Sequence, residues 1–128
     1  YVIDCVQAGD TVTFHPSLQG QTIHLNSDKI IIDKDIHIHS SLVSPRIMIY
    51  SDVPGAFMIT TGHTVEMYNI EITSGLGGVL GAGIENYGTL TIWETCVFKN
   101  PLLPAGNYLM YNEGGAQIFV KGACHIQN

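Results

Sequence analysis

A short repeat of strand-like segments constrains the fold of this chain more than any other feature. Residues 62–75 read GHTVEMYNIEITSG, and residues 88–100 read GTLTIWETCVFKN. A constant shift of 25 residues superimposes Val65, Met67, Ile70 and Ile72 on Leu90, Ile92, Thr95 and Val97. A repeat of this length that carries strands instead of helices is typical of a solenoid, in which each copy is one coil. A single coil cannot bury its apolar row alone, so it must stack on the coils above and below it.

Alternating apolar residues extend this pattern to the first half of the chain. The pairs with a spacing of two are Val12 and Phe14, Ile23 and Leu25, Ile30 and Ile32, Ile36 and Ile38, Ile47 and Ile49, and Phe57 and Ile59. Such a spacing sends both members of a pair to the same face of a strand. Short corners rich in Gly, Asn, Asp or Pro separate the pairs, without the Asn-Gly or Asp-Gly dipeptides of two-residue hairpins. We therefore predict an all-β, right-handed parallel β-helix with rungs of about 25 residues, in preference to an antiparallel sandwich.

The whole chain, residues 1–128, fits one domain by its length. Residues 1–9 are predicted to form an N-terminal cap, with a short helix whose buried face carries Val2, Cys5 and Val6. Residues 10–128 are predicted to form the rungs.

A third, less regular copy of the repeat follows. Asn112 and Gly114 correspond to Asn86 and Gly88, and Ile118 and Val120 continue the column of Leu90 and Ile92, while Cys124 and Ile126 close the last coil. The matching asparagines are predicted to form a stacked ladder of side-chain amides.

Composition excludes several kinds of partner. Only 12% of the residues are charged, the net charge is −6, and Arg46 is the single arginine. A chain without a basic stripe is a poor ligand for nucleic acid or anionic lipid. No apolar run reaches the roughly 20 residues that a membrane helix needs, so no membrane insertion is expected. Cys5, Cys96 and Cys124 show no metal-ligand spacing and are expected to be buried free thiols, although one disulfide with an odd thiol remains an alternative.

The order of these segments resembles a known family. GDTVTFHPSLQGQTIHL (residues 9–25), then IIIDKDIHIHS, GHTVEMYNIEITSG and GAGIENYGTLTIWETCVFKN, are similar to secreted bacterial right-handed β-helix surface proteins. These are related to polymorphic outer-membrane proteins and filamentous adhesins, and the chain resembles surface proteins of the Bacteroidetes type. The resemblance implies a secreted or cell-surface scaffold and supplies no catalytic residue or cofactor.

Parallel β-helices also include pectin-degrading lyases and hydrolases, so catalysis has to be weighed separately. Glu66 and Glu71 flank one corner and are predicted to point outward, but the shift of 25 places no carboxylate above either of them. A hydrolase of this kind needs paired carboxylates, so we predict no enzymatic activity.

Three groups of residues are candidates for contacts. His37 and His39 share the outer face of one strand, where they could bind a metal ion, although a solvated strand face is the preferred interpretation. Tyr68 and Trp93 are related by the shift of 25 and are predicted to stack at one outward corner, as corner packing or as a strip that binds glycan or protein. Two apolar loops are predicted to form a protein-binding patch, which includes Leu76, Val79, Leu80, Leu102 and Leu103.

The two ends of the solenoid form the last candidate surface. An end exposes unpaired strands and apolar side chains unless a cap covers it. The residues predicted for an end-to-end interface are Tyr1, Val2, Ile118, Val120, Cys124 and Ile126. The sequence thus predicts a non-catalytic extracellular structural or adhesive protein that associates with itself, as a filament, or with another surface protein. Carbohydrate binding or carbohydrate-active catalysis remains the alternative.

Overall fold

The computed structural model describes residues 2–41, 44–75, 83–93, 95–99 and 110–127. One short helix, one 3-10 turn (Pro16–Leu18) and fourteen strands make up these ranges. In chain order they are α1 (Val2–Cys5), β1 (Thr11–Thr13), β2 (Thr22–Leu25), β3 (Ile30–Ile32), β4 (Ile36–His39), β5 (Ile47–Ser51), β6 (Phe57–Ile59), β7 (Thr64–Tyr68), β8 (Ile70–Ser74), β9 (Ile84–Asn86), β10 (Thr89–Trp93), β11 (Val97–Lys99), β12 (Met110–Asn112), β13 (Gln117–Lys121) and β14 (His125–Gln127).

The strands form three parallel sheets that together make a β-solenoid. Sheet A has the order β1-β4-β7-β10-β13, sheet B the order β2-β5-β8-β11-β14, and sheet C the order β3-β6-β9-β12. Each pairing joins a strand to its counterpart one coil later in the sequence, and every pairing is parallel. There are about four coils of about 26 residues each. The predicted all-β parallel solenoid is therefore confirmed.

Columns of apolar side chains fill the interior, as the alternation predicts. In sheet A the register aligns Val12, Ile38, Met67, Ile92 and Val120, one from each strand. The first four are buried, whereas Val120 in the last strand is 52% exposed. Because Ile38, Met67 and Ile92 are each covered by the coils on both sides, the core is continuous along the solenoid axis.

The constant shift of 25 holds between β7 and β10 of sheet A and fails between β8 and β11 of sheet B. Val65 pairs with Leu90 as predicted, but Ile72 pairs with Phe98 and not with Val97. The corner after β7 is Asn69 alone, with a φ of 54°, whereas two more residues separate β10 from β11 and place Thr95 at a φ of 72°. This longer corner shifts the later strand by one residue, so Cys96 and Phe98 point inward where the shift of 25 places Thr95 and Val97.

The predicted asparagine ladder is present at the corner between sheets C and A. Asn86 is fully buried, and its Nδ2 donates to Oδ1 of Asn112 at 2.7 Å and to the carbonyl of Gln117 at 2.9 Å. Its Oδ1 accepts from the backbone N–H of Gly88 at 3.2 Å. The amide therefore satisfies backbone groups at a corner where the strand ladder is interrupted.

The N-terminal helix forms within residues 1–9, but one residue of its predicted apolar face, Cys5, is not buried. Ile3 is 5% exposed and belongs to the core, and Val6 packs against it, whereas Cys5 is exposed. The helix has only four residues, so the turn that follows it sets which side chains face the first coil. This turn is anchored to the coil because the N–H of Gly9 donates to the carbonyl of Asp35 at 2.7 Å.

Candidate functional site

The outer face of sheet A gathers the largest set of polar and aromatic side chains that were singled out in the sequence. One outward column contains His37, Glu66 and Thr91, and the next contains His39, Tyr68, Trp93 and Lys121. We call His37, His39, Glu66, Tyr68, Trp93 and Lys121 the outer-face cluster. The period of two along β4, β7, β10 and β13 places these residues outward while their neighbours fill the core.

Tyr68 and Trp93 stack on each other, which confirms the predicted pairing. Their ring centroids are 5.3 Å apart, and their planes differ by 9°. On the other side of Tyr68 lies the ring of His39, also at 5.3 Å, and on the other side of Trp93 lies Nζ of Lys121, 4.5 Å from the ring centroid. The four side chains therefore form one continuous stack along the axis of the solenoid.

Glu66 links this stack to the neighbouring column. Its Oε2 accepts a hydrogen bond from the hydroxyl of Tyr68 at 2.6 Å and another from Nε1 of Trp93 at 2.8 Å, and Nδ1 of His37 lies 3.8 Å away. The hydrogen bond from Tyr68 lowers the pKa of Glu66, assisted by Trp93 and by the nearby charges of His37 and Lys121. Burial and the same hydrogen bond raise the pKa of Tyr68 to about 12.

This geometry limits what the aromatic stack can bind. A sugar ring packs against the open face of an aromatic side chain. Both faces of Tyr68 are covered by other rings, and the free face of Trp93 carries Lys121. Only ring edges remain for a ligand unless Lys121 moves, so the arrangement favours a structural function of the stack.

The histidine side chains do not come together at one site. His37 and His39 lie on the outer face of β4 as predicted, but His24 lies in sheet B, where it packs on Tyr50. Nδ1 of His63 lies 3.6 Å from a carboxylate oxygen of Asp35. Among the residues that the structure describes, no group of three or more His, Cys, Asp or Glu side chains could hold a metal ion.

Of the two predicted outward carboxylates, Glu66 is partly exposed and Glu71 is not. Glu71 is 9% exposed, and its Oε1 accepts from Nζ of Lys99 at 2.9 Å. It is in register with Val97, whereas the shift of 25 would place Cys96 beside it. The longer corner before β11 causes both the shift and the proximity of Lys99.

A second surface lies at the end of the last coil. Among the residues that the structure describes, the inward-pointing residues of β12, β13 and the β14 segment have a coil on one side only. We call Met110, Ile118, Val120, Cys124 and Ile126 the open-end surface. Val120 is 52% exposed and Ile126 is 57% exposed, while the other three are partly buried. The strands at this surface also present one unpaired edge each.

The opposite end carries an apolar recess. It has a volume of about 130 Å³ and is lined by Ile3, Val12, Phe14, Ile23, Leu25, Ile30, Ile38, Ile49 and Phe57. Phe14, Ile23 and Ile30 are only partly buried, so α1 covers this end incompletely.

Several predicted contact residues fall outside the described part of the chain. They are Tyr1, Leu76, Val79, Leu80, Leu102 and Leu103, and the side chain of Val2 is likewise not described. The predicted loop patch and the N-terminal half of the predicted end-to-end interface stay predictions.

Sequence reasoning missed the contacts of Glu66 and Lys121 within the outer-face cluster. Lys121 falls 28 residues after Trp93, because the third coil is longer than the second, and a constant shift of 25 does not bring the two together. The alignment of Ile118 and Val120 with Leu90 and Ile92 could have revealed this contact, because the same alignment places Lys121 beside Trp93.

In the described ranges, no helix has the length and apolar character needed to cross a membrane. Comparison with protein families, curated proteins and solved structures found no match to this chain.

Proposed function

We propose that this protein is a non-catalytic structural or adhesive β-solenoid of the cell exterior, which associates end to end with further copies of itself. The observation that supports this proposal is the open-end surface. Val120 and Ile126 belong to columns that are buried in the preceding coils, yet each is more than half exposed. Burying such side chains contributes about 25 cal/mol for each Å² of apolar area that is removed from water.

A second copy has the shape and chemistry to cover this surface. The first coil of the next copy would present the unpaired edges of its β1, β2 and β3 to the unpaired edges of β13, β14 and β12. The apolar recess behind these edges is large enough to receive a protruding side chain such as Ile126. Contacts between two different ends do not close on themselves and therefore generate filaments.

The test is a charge placed on the open-end surface. We expect Val120→Glu to abolish self-association, because an ionised carboxylate would have to be buried without a partner. The matched control is Phe119→Glu. Phe119 is 46% exposed on the same strand but points outward from sheet A, so this change should leave association intact. Sedimentation velocity over a range of concentrations and negative-stain electron microscopy measure the outcome.

A mixing experiment distinguishes head-to-tail stacking from a symmetric contact between two open ends. The Val120→Glu variant keeps its N-terminal recess, so in head-to-tail stacking it should cap wild-type assemblies and shorten them. In a symmetric contact it should not join the assemblies at all. A wild-type protein that is monomeric at every concentration contradicts the proposal.

The exterior location rests on composition and on the resemblance described above. A surface with few charges and many Thr, Ser, Asn and Gly residues is common among extracellular β-proteins. Protease treatment of intact producing cells, with a cytoplasmic protein as the control, tests it. Protection from the protease until the cells are lysed contradicts the location.

Glycan binding at the outer-face cluster is the alternative function. The partly exposed carboxylate of Glu66 and the neighbouring Lys121 supply hydrogen-bonding groups beside the aromatic edges, which is the observation in its favour. Retention on immobilised polysaccharides should then be lost in Trp93→Ala. It should persist in Ile31→Ala, which removes an exposed apolar side chain from sheet C. Equal retention of the two variants and the wild type contradicts glycan binding here.

A further inference from the structure

Cys96 and Cys124 occupy equivalent positions in two neighbouring coils. Val97 pairs in register with His125, and the N–H of His125 donates to the carbonyl of Cys96 at 3.1 Å. Cys96 directly precedes β11 and Cys124 directly precedes β14. The two cysteines are therefore neighbours across the strand ladder, although 28 residues separate them in the sequence.

Both side chains point into the solenoid. Phe98 and its register partner Ile126 are inward positions, and the alternation places the residues two positions earlier on the same side. Cys96 is fully buried in the core, and Cys124 packs against that core while remaining partly exposed. Neighbouring strands lie about 4.8 Å apart, which falls inside the range of about 4.4–6.8 Å between the Cα atoms of disulfide-bonded cysteines.

We propose that Cys96 and Cys124 form an intramolecular disulfide that ties the last coil to the coil before it. All three cysteines are reduced in the structure. Cys5 lies in α1 at the opposite end of the solenoid and stays outside this pair. The proposal concerns this pair alone and does not depend on self-association.

The oxidant is a small-molecule disulfide such as oxidised glutathione. The Cys124 thiol is the more accessible of the two, so after losing its proton it attacks one sulfur of the oxidant and releases one glutathione thiolate. The Cys96 thiol, after losing its own proton, then attacks the Cys124 sulfur of the mixed disulfide and releases the second glutathione. Two protein thiols are oxidised to one disulfide, and one glutathione disulfide is reduced to two thiols.

The reaction should be slow at neutral pH. Burial and the neighbouring Cys96 raise the pKa of Cys124 to about 11, and burial raises the pKa of Cys96. Only the thiolate attacks a disulfide, so a small fraction of the protein reacts at any moment. The oxidation is therefore best followed at about pH 8.5, where thiolate is more abundant.

The experiment uses the full chain in a Cys5→Ser background, which removes the odd thiol. After equilibration with oxidised glutathione, intact-mass analysis should show the loss of two hydrogens and no added glutathione. Peptide mapping without reductant should link the peptide of Cys96 to that of Cys124. The oxidised protein should melt roughly 5–10 °C above the reduced protein, because the bond closes a loop of 28 residues.

Two further variants make the result decisive. Cys96→Ser should leave Cys124 as a stable mixed disulfide with glutathione, because the resolving thiol is gone. Cys124→Ser should leave Cys96 reduced, because the remaining thiol is buried. Stable glutathione on Cys124 in the Cys5→Ser protein, or two free thiols after prolonged oxidation, would overturn the proposal.

Discussion

Gly88 shows how closely neighbouring coils approach at a corner. A Cβ atom at this position would lie 2.3 Å from the carbonyl oxygen of His63 and 2.7 Å from that of Thr60. Both contacts are with backbone, which cannot move aside as a flexible side chain can. We expect Gly88→Ala to lower the free energy of unfolding by about 3 kcal/mol, as measured by urea denaturation.

Gly114 supplies the control for this prediction. It corresponds to Gly88 in the repeat, but a Cβ atom there would meet nothing within 4 Å, because no further described coil covers it. Gly114→Ala should change the free energy of unfolding by less than about 0.5 kcal/mol. Equal losses of unfolding free energy in the two variants would mean that the backbone contacts of Gly88 do not cause the destabilisation.

The ionisation of Glu66 should make the free energy of unfolding depend on pH. Its folded-state pKa lies below the ordinary value of 4.5, chiefly because the hydroxyl of Tyr68 donates to its carboxylate. The resulting stabilisation is complete above the ordinary pKa and is lost as the pH falls through the lower folded pKa. We expect Glu66→Gln to reduce the free energy of unfolding by about 1 kcal/mol at neutral pH.

The difference between Glu66→Gln and the wild type should shrink towards zero as the pH falls through the lowered folded-state pKa of Glu66. Parallel urea titrations at neutral and acid pH measure it. Glu113→Gln is the control, since Glu113 is exposed and lies outside the outer-face cluster. A difference that is independent of pH would exclude ionisation of Glu66 as its cause.

At the scale of elements, the corner between sheets C and A depends on one buried amide. Replacing Asn86 by Ala leaves the N–H of Gly88 and the carbonyl of Gln117 without their side-chain partner. Each buried polar group that loses its hydrogen bond costs about 1–3 kcal/mol. We expect Asn86→Ala to reduce the free energy of unfolding by about 3 kcal/mol, measured by chemical denaturation.

Asn112→Ala tests the same ladder one coil later. Asn112 is exposed, and water can replace its contacts with Asn86 and with the carbonyl of Ala116. Its substitution should therefore cost less than about 1 kcal/mol. If Asn112→Ala lowers the free energy of unfolding as much as Asn86→Ala does, burial of the amide is not the reason for the loss at Asn86.

The strands were predictable from the sequence because inward positions need apolar side chains in every coil. Ile36 and Ile38 illustrate this, since both are 2% exposed. The lengths of the corners were not predictable, because β11 alternates in the same way whether Val97 or Phe98 points inward, and only the additional residue beside Thr95 selects Phe98. The stack of Tyr68 on Trp93 was found because this pair follows the shift of 25. Cys96 and Cys124 were not recognised as neighbours, because the third coil is longer and separates them by 28 positions.

For the whole molecule, stability should decrease towards the open end. The strands β7 and β8 are paired on both sides, whereas β13 and β14 are paired on one side only. Amides in local units with few buried contacts exchange with solvent through small openings. We expect hydrogen exchange measured by mass spectrometry to be slowest in residues 64–74 and at least about tenfold faster in residues 117–127.

Self-association should change these hydrogen-exchange rates at the open end. Because a second copy would cover β13 and β14, their exchange should slow as the protein concentration rises, and the Val120→Glu variant should lack this effect. Uniform exchange along the chain at low concentration would show that the solenoid opens as one cooperative unit.

The position of Trp93 makes its fluorescence sensitive to the state of the last coil. It is the only tryptophan of the chain, with Tyr68 against one face and Lys121 of the last coil against the other. Detachment of β13 removes the ammonium group and admits water to the indole, while the partner ring stays in place. The fluorescence emission of Trp93 therefore reports whether the last coil is attached to the coil before it, without any label on the protein.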